Sequence, residues 1–184
     1  MRIKTWIFTL LMAITASLGY AASPSISSYS LVPSEDGVMY FSYNLADPDG
    51  KFFDDLRDAV RGHNKVVVKH KVTITPMGDL WGSLATSEAT HYVSYDILRE
   101  SFEIGDTPDV VNITTQDEGT ASHLLLGVRD LPLIELNQLY SGQEYKIKVN
   151  VTVDATQRSR WTRWLPVKWF GRDELNVEAH YIAR

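Results

Sequence analysis

With 184 residues, no cysteine and 23 acidic against 18 basic side chains, the chain excludes a disulfide framework, thiol catalysis, thiolate metal sites and a lipid anchor on cysteine. Its net charge is −5. After the first 21 residues, no apolar run approaches the about 20 residues needed to span a bilayer.

Arg2 and Lys4 precede an uncharged, mostly apolar run from Trp6 to Leu18, and Gly19-Tyr20-Ala21 follows as a small-x-small site. This is the layout of a secretory signal peptide. The expectation is cleavage after Ala21 and a mature chain that works in the periplasm, soluble unless the leader stays uncut as a tether. Residues 22–184 are then expected to form one domain. Removing Arg2 and Lys4 leaves 16 basic residues against 23 acidic ones, a net of −7. Gln157 to Arg172 holds five basic residues and no acid, so everything else sums to −12. That segment is the one local electrostatic anomaly.

Ala22 to Ser28 is Ser-rich and reads as a loose lead-in. Val38 to Leu45 alternates, with Met39, Phe41, Tyr43 and Leu45 on one face, which predicts a half-buried strand. Asp47-Pro48-Asp49-Gly50 breaks it. Phe52, Phe53, Leu56, Ala59 and Val60 then recur at helical spacing, with Gly62 and Asn64 as a stop. Lys65 to Thr75 predicts a second strand, with Val66, Val68, His70, Val72 and Ile74 on one side. Pro76 to Asp79 turns the chain. Trp81 to Asp96 reads as a long bent strand with a bulge at Gly82. Ser101–Ile104 and Val110–Thr115 are weaker strands. Glu118 to Val128 reads as a second short helix, capped by Thr120, with Ala121, Leu124, Leu125 and Val128 inward and Pro132 ending it. The clearest alternation runs from Glu144 to Asp154, and a last strand spans Glu174 to Ala183. Seven or eight such strands with two short helices predict a mainly β, antiparallel sandwich of immunoglobulin-like type.

No phosphate loop, nucleophile elbow or zinc-helix motif is present, so no catalytic residue, metal ligand or cofactor is assigned. His63, His70, His91, His123 and His180 show no paired ligand spacing. His70, among valines, reads as a half-buried edge histidine with a hydrogen-bond partner rather than a ligand or pH sensor. Asp47-Pro48-Asp49-Gly50 hints at a calcium loop but lacks the alternating ligands and distal Glu, and capping of the following helix by Asp49 is the simpler role. Asn112-Ile-Thr and Asn150-Val-Thr match glycosylation acceptors by chance.

The strongest functional lead is Arg158, Arg160, Trp161, Arg163, Trp164, Lys168, Trp169 and Phe170. Tryptophan and arginine anchor protein interfaces and also suit an anionic bilayer surface. Single-stranded nucleic acid fits the same chemistry but is not met by an exported protein. The alternatives are that the tryptophans fold back onto the sandwich, or that the function is small apolar-ligand or lipid binding in a cavity lined by Phe41, Tyr43, Tyr145 and Val149.

Five stretches carry a resemblance. They are FFDDLRDAV (52–60), VVVKHKVTI (66–74), VSYDILRESFEI (93–104), VRDLPL (128–133) and LYSGQEYKIKVNVTVD (139–154). Together with the exported N-terminus and Trp-rich tail, they resemble the proteobacterial exported proteins grouped as domain of unknown function family 4390. The tail departs from that pattern, because Glu178-Ala179-His180-Tyr181 stands where another Trp-centred strand is expected. The resemblance implies no activity, cofactor or active site. It does imply a periplasmic accessory role in envelope signalling, beside a membrane sensor kinase. The candidate partner is therefore an envelope or inner-membrane protein.

Overall fold

Alternating apolar residues need two faces to bury against, and this chain supplies them as two packed antiparallel sheets. The computed structural model describes residues 25–183 apart from 48–49, 63–64, 79–81 and 156–173. The smaller sheet contains β1 (Ser25–Pro33), β2 (Val38–Ala46) and β7 (Gly127–Glu135), in that order. The larger runs β6 (Ile113–Thr115), β5 (Ser101–Gly105), β4 (Ala85–Asp96), β3 (Val66–Pro76), β8 (Glu144–Ala155) and β9 (Glu174–Ile182). Two short helices, α1 (Lys51–Gly62) and α2 (Glu118–Leu125), complete the layout. The expected sandwich is present. Three strands against six departs from the four-and-three division of an immunoglobulin constant domain, so the class holds at the coarser level.

The core follows the predicted faces. Met39, Phe41, Tyr43 and Leu45 of β2 face Val66, Val68, His70, Val72 and Ile74 of β3, and all nine are buried. Tyr145, Ile147, Val149 and Val151 extend that layer along β8, and Leu175, Val177 and Ala179 along β9. Burying a Leu, Ile, Val or Phe side chain contributes about 1.5–3 kcal/mol, which is why these alternations set the register. On the outer face, Lys69 pairs with Asp154 at 2.6 Å. An exposed pair of that kind contributes little.

α1 buries Phe52, Phe53, Leu56, Ala59 and Val60, the five positions its spacing selects. Its first turn is capped by Asp47, whose Oδ2 accepts from the Phe53 N–H at 2.9 Å. Asp49, the residue expected to cap it, lies outside the described residues. Arg57 and Arg61 of α1 each lie 3.2 Å from Glu118 of α2, which joins the two helices.

Several expected boundaries are corrected. Ser25–Ser28 belongs to β1, where pairing with β2 recruits Ser-rich backbone that shows little alternation of its own. β4 starts at Ala85, and its register with β3 is unbroken from Val66↔Val93 to Ile74↔Ala85, so Gly82 lies before the strand and makes no bulge in it. Of Val110–Thr115, only Ile113–Thr115 pairs as strand. Asp117, not Thr120, is the cap of α2: its carboxylate accepts from the backbone N–H of Thr120 at 2.6 Å. That helix stops at Leu125, and Val128 and Pro132 belong to strand β7. Proline is tolerated there because β7 is an edge strand.

Candidate functional site

The sequence-selected surface residues Arg158, Arg160, Trp161, Arg163, Trp164, Lys168, Trp169 and Phe170 lie outside the described residues, as does His63. The strands that carry the segment are described. β8 and β9 pair from Glu144↔Ile182 to Thr152↔Glu174, so residues 156–173 connect them at one end of the larger sheet. At that end β3 begins with Val66, opposite Ala155 on one side and Val93 on the other. β4 continues three residues further, to Asp96, and turns into β5. In that turn Ile97 is 75% exposed and Leu98 is 96% exposed. β4 and β8 flank β3, so the two connections leave the sheet about 10 Å apart. Both lie in the family-like stretch 93–104, but nothing in the sequence marked them as exposed; strand order brings their turn to this end.

The four residues expected to line an apolar cavity, Phe41, Tyr43, Tyr145 and Val149, are core residues with 3% exposure or less. A surface cleft lies elsewhere, at the corner where β7 and α2 meet β4, β5 and the loop to β6. It has a volume of about 480 Å³. Its apolar surface comes from Ile104, Ile113, Leu124, Val128 and Leu131, and its polar groups from His91, Asp106, Asn112, His123, Arg129 and Asp130.

Behind the cleft stands His70, fully buried on a central strand and not half-buried at an edge as expected. Its Nε2 lies 3.0 Å from the Leu125 carbonyl, which can only accept, so Nε2 carries the proton. Nδ1 then accepts from the Tyr43 hydroxyl at 2.7 Å. The expected hydrogen-bond partner is thus present twice over. Burial first, and the neighbouring His91 second, lower the His70 pKa to about 3. Burial likewise drives the Tyr43 phenol far above its ordinary value. Both groups are neutral in the folded protein, as low-dielectric surroundings require.

The His91 ring meets that of His70 edge-on at 5.2 Å. Its Nδ1 lies 3.1 Å from an Asp106 oxygen, and its Nε2 lies 3.4 Å from the Gly127 carbonyl. Asp106 also accepts from Asn112 at 2.9 Å. Each ring nitrogen of His91 therefore faces an oxygen of the protein, which makes His91 part of the wall. Asn112 is placed as a wall residue too, and Asn150, mid-strand in β8, donates to Asn176 at 2.8 Å.

β7 shapes the other side. Its register with β2 jumps from Phe41↔Leu131 to Tyr43↔Val128, leaving Arg129 and Asp130 as a bulge opposite Ser42. Asp130 takes a positive φ of 50° there. Its backbone N–H donates to the Ser42 hydroxyl at 2.9 Å, and that hydroxyl donates to the Asp130 carboxylate at 3.3 Å. Sequence reasoning missed Asp106, Arg129 and Asp130. Asp106 follows β5 while Arg129 and Asp130 form the β7 bulge, so no shared spacing joins them. Among the described residues, no group of His, Asp and Glu could hold a metal ion, and no helix is long and apolar enough to cross a membrane. The expected alternative of calcium at Asp47–Gly50 is left with Asp47 engaged at the start of α1.

Fold and cleft together define an antiparallel two-sheet sandwich with a polar-rimmed corner cleft. The chain belongs to the family described as Domain of unknown function (DUF4390), which matches residues 21–181. The resemblance drawn from the sequence motifs is thereby confirmed across nearly the whole chain. No curated protein and no solved structure matches it.

Proposed function

We propose that the protein is exported to the periplasm, loses its leader after Ala21, and serves there as a non-catalytic interaction module. Its contact end is the end of the larger sheet from which the β4–β5 turn and the β8–β9 connection leave. The observation that supports this reading is the pair Ile97 and Leu98, adjacent apolar residues held almost fully in solvent at a turn. Side chains this exposed contribute little to folding, whereas aromatic and apolar anchors with arginine are what interfaces use. The neighbouring connection brings five basic residues and three tryptophans in sequence, against a remainder that is strongly acidic. Such a contrast orients encounter with an oppositely charged surface. The partner is an envelope or inner-membrane protein or the anionic lipid around it, in an accessory role in envelope signalling.

The test is charge reversal of Arg158, Arg160 and Arg163 to Glu in the full exported chain. Loss of in-cell crosslinks, or loss of salt-sensitive flotation with anionic vesicles, is the expected result. Crosslinks and flotation both unchanged in a folded variant would overturn the reading.

A further inference from the structure

The corner cleft lies away from the proposed contact end and poses a separate question, which its charges answer. Two carboxylates line it, and both are engaged. Asp106 is held by His91 and Asn112, and Asp130 by the Ser42 hydroxyl. The cationic side has no such closure. Arg129 lines the cleft, and among the described residues neither a carboxylate nor a hydrogen-bond acceptor pairs with it. His123 also lines the cleft. Beneath them the wall is apolar, from Ile104, Leu124, Val128 and Leu131. A volume of about 480 Å³ sits within the usual range for small-molecule sites, roughly 300–1,000 Å³, which pair an apolar lining with a few placed polar groups.

The cleft is also rigidly built. A Cβ at Gly105 would stand 1.7 Å from the Val110 carbonyl oxygen. At Gly127 a Cβ would stand 2.2 Å from Asn44 Oδ1 and 2.9 Å from the Tyr43 carbonyl oxygen. Backbone meets backbone at both walls, with the Asn44 side-chain oxygen also close at Gly127. The space between them is preformed, which lowers the ordering cost of binding.

We propose that this cleft binds a compact organic monocarboxylate, its apolar body against Leu124, Val128 and Leu131 and its carboxylate on Arg129. A guanidinium pairs with a carboxylate through two parallel N–H···O bonds, a geometry that an ammonium lacks. A dianion such as a phosphate ester or dicarboxylate is disfavoured, because its second charge would lie beside Asp106 and Asp130. A cation is disfavoured because both carboxylates are already engaged and Arg129 repels it.

Titration of the purified mature protein with octanoate, octanol and octyl phosphate, followed by backbone amide NMR, tests this. The expected result is saturable binding of octanoate, with shifts at Leu124, Val128 and Arg129, and binding of octanol and octyl phosphate at least about tenfold weaker. Arg129→Gln should weaken octanoate about tenfold while leaving octanol unchanged, and Leu124→Trp, which fills the space, should abolish both. Equal binding of octanoate and octanol, unaltered octanoate binding by Arg129→Gln, or no saturation by roughly 10 mM would overturn the proposal. Neither variant touches Ile97, Leu98 or the β8–β9 connection, so failure here leaves the contact-end reading standing.

Discussion

The Tyr43 hydroxyl lies 2.7 Å from Nδ1 of His70, joining β2 of the smaller sheet to β3 of the larger through the middle of the core. The imidazole is anchored on its other side by the Leu125 carbonyl, so the smaller sheet, the larger sheet and the end of α2 meet at one ring. Two buried polar groups satisfy each other there, which removes the cost that either would carry alone.

Tyr43→Phe should therefore destabilise the fold by about 1–3 kcal/mol, the cost of leaving a buried acceptor without its donor. The phenyl ring keeps the packing against Phe41. Urea unfolding of the two proteins measures the difference, and a shift below about 0.5 kcal/mol would mean the bond contributes no more than a surface contact.

Acid should unfold the protein through His70. Its folded pKa of about 3 lies below the ordinary 6.5. The folded state therefore takes up this proton later than the unfolded chain, and stability is complete above pH 6.5. It falls as pH drops from 6.5 toward 3, by on the order of 4 kcal/mol across the window. His70→Gln, which can still accept from Tyr43, should flatten that part of the stability–pH curve. The measurement is thermal unfolding of both proteins between pH 7 and pH 4; parallel curves would remove His70 as the cause.

How much of this was legible in the sequence depended on whether side chains or pairing decided each element. β2, β3, β8 and α1 carry strict alternation or helical spacing, and the residues on their predicted faces are buried, with Val153 near the end of β8 only partly so and Val67 of β3 buried on the other face as well. β7 does not alternate, because the Arg129–Asp130 bulge shifts its register and Pro132 interrupts it. Its first apolar residue, Val128, also continues the helical spacing of Ala121, Leu124 and Leu125, so the segment reads as helix until β2 is laid beside it. β1 was hidden for a related reason: its serines take strand form from their partner. The cleft was illegible because Asp106, Arg129 and His91 lie on separate elements and converge only in the fold. His70 was legible as a hydrogen-bonded histidine but not as a central one, since strand order is not written in the spacing.

Gly105→Ala should lower stability by about 1–3 kcal/mol, since its methyl group would meet the Val110 carbonyl oxygen at 1.7 Å and force the loop before β6 outward. Amide exchange at Asn112, whose N–H donates to the Ile104 carbonyl at 2.9 Å, should accelerate in the variant. Unchanged exchange and stability would show that the loop relaxes freely.

Ile97→Asp combined with Leu98→Asp should leave the unfolding midpoint within about 0.5 kcal/mol of the parent, because both side chains are exposed. The same double variant should lose in-cell contacts. A large loss of stability would assign the pair a packing role and remove the support for the contact end.

The most direct test of the central claim is site-specific photo-crosslinking in intact cells, with the photoreactive residue at Leu98 and, as a control at the opposite end of β8, at Ser141. Leu98 should capture an envelope protein or lipid, and Ser141 neither. Equal capture from both positions, or none from Leu98, would contradict that claim.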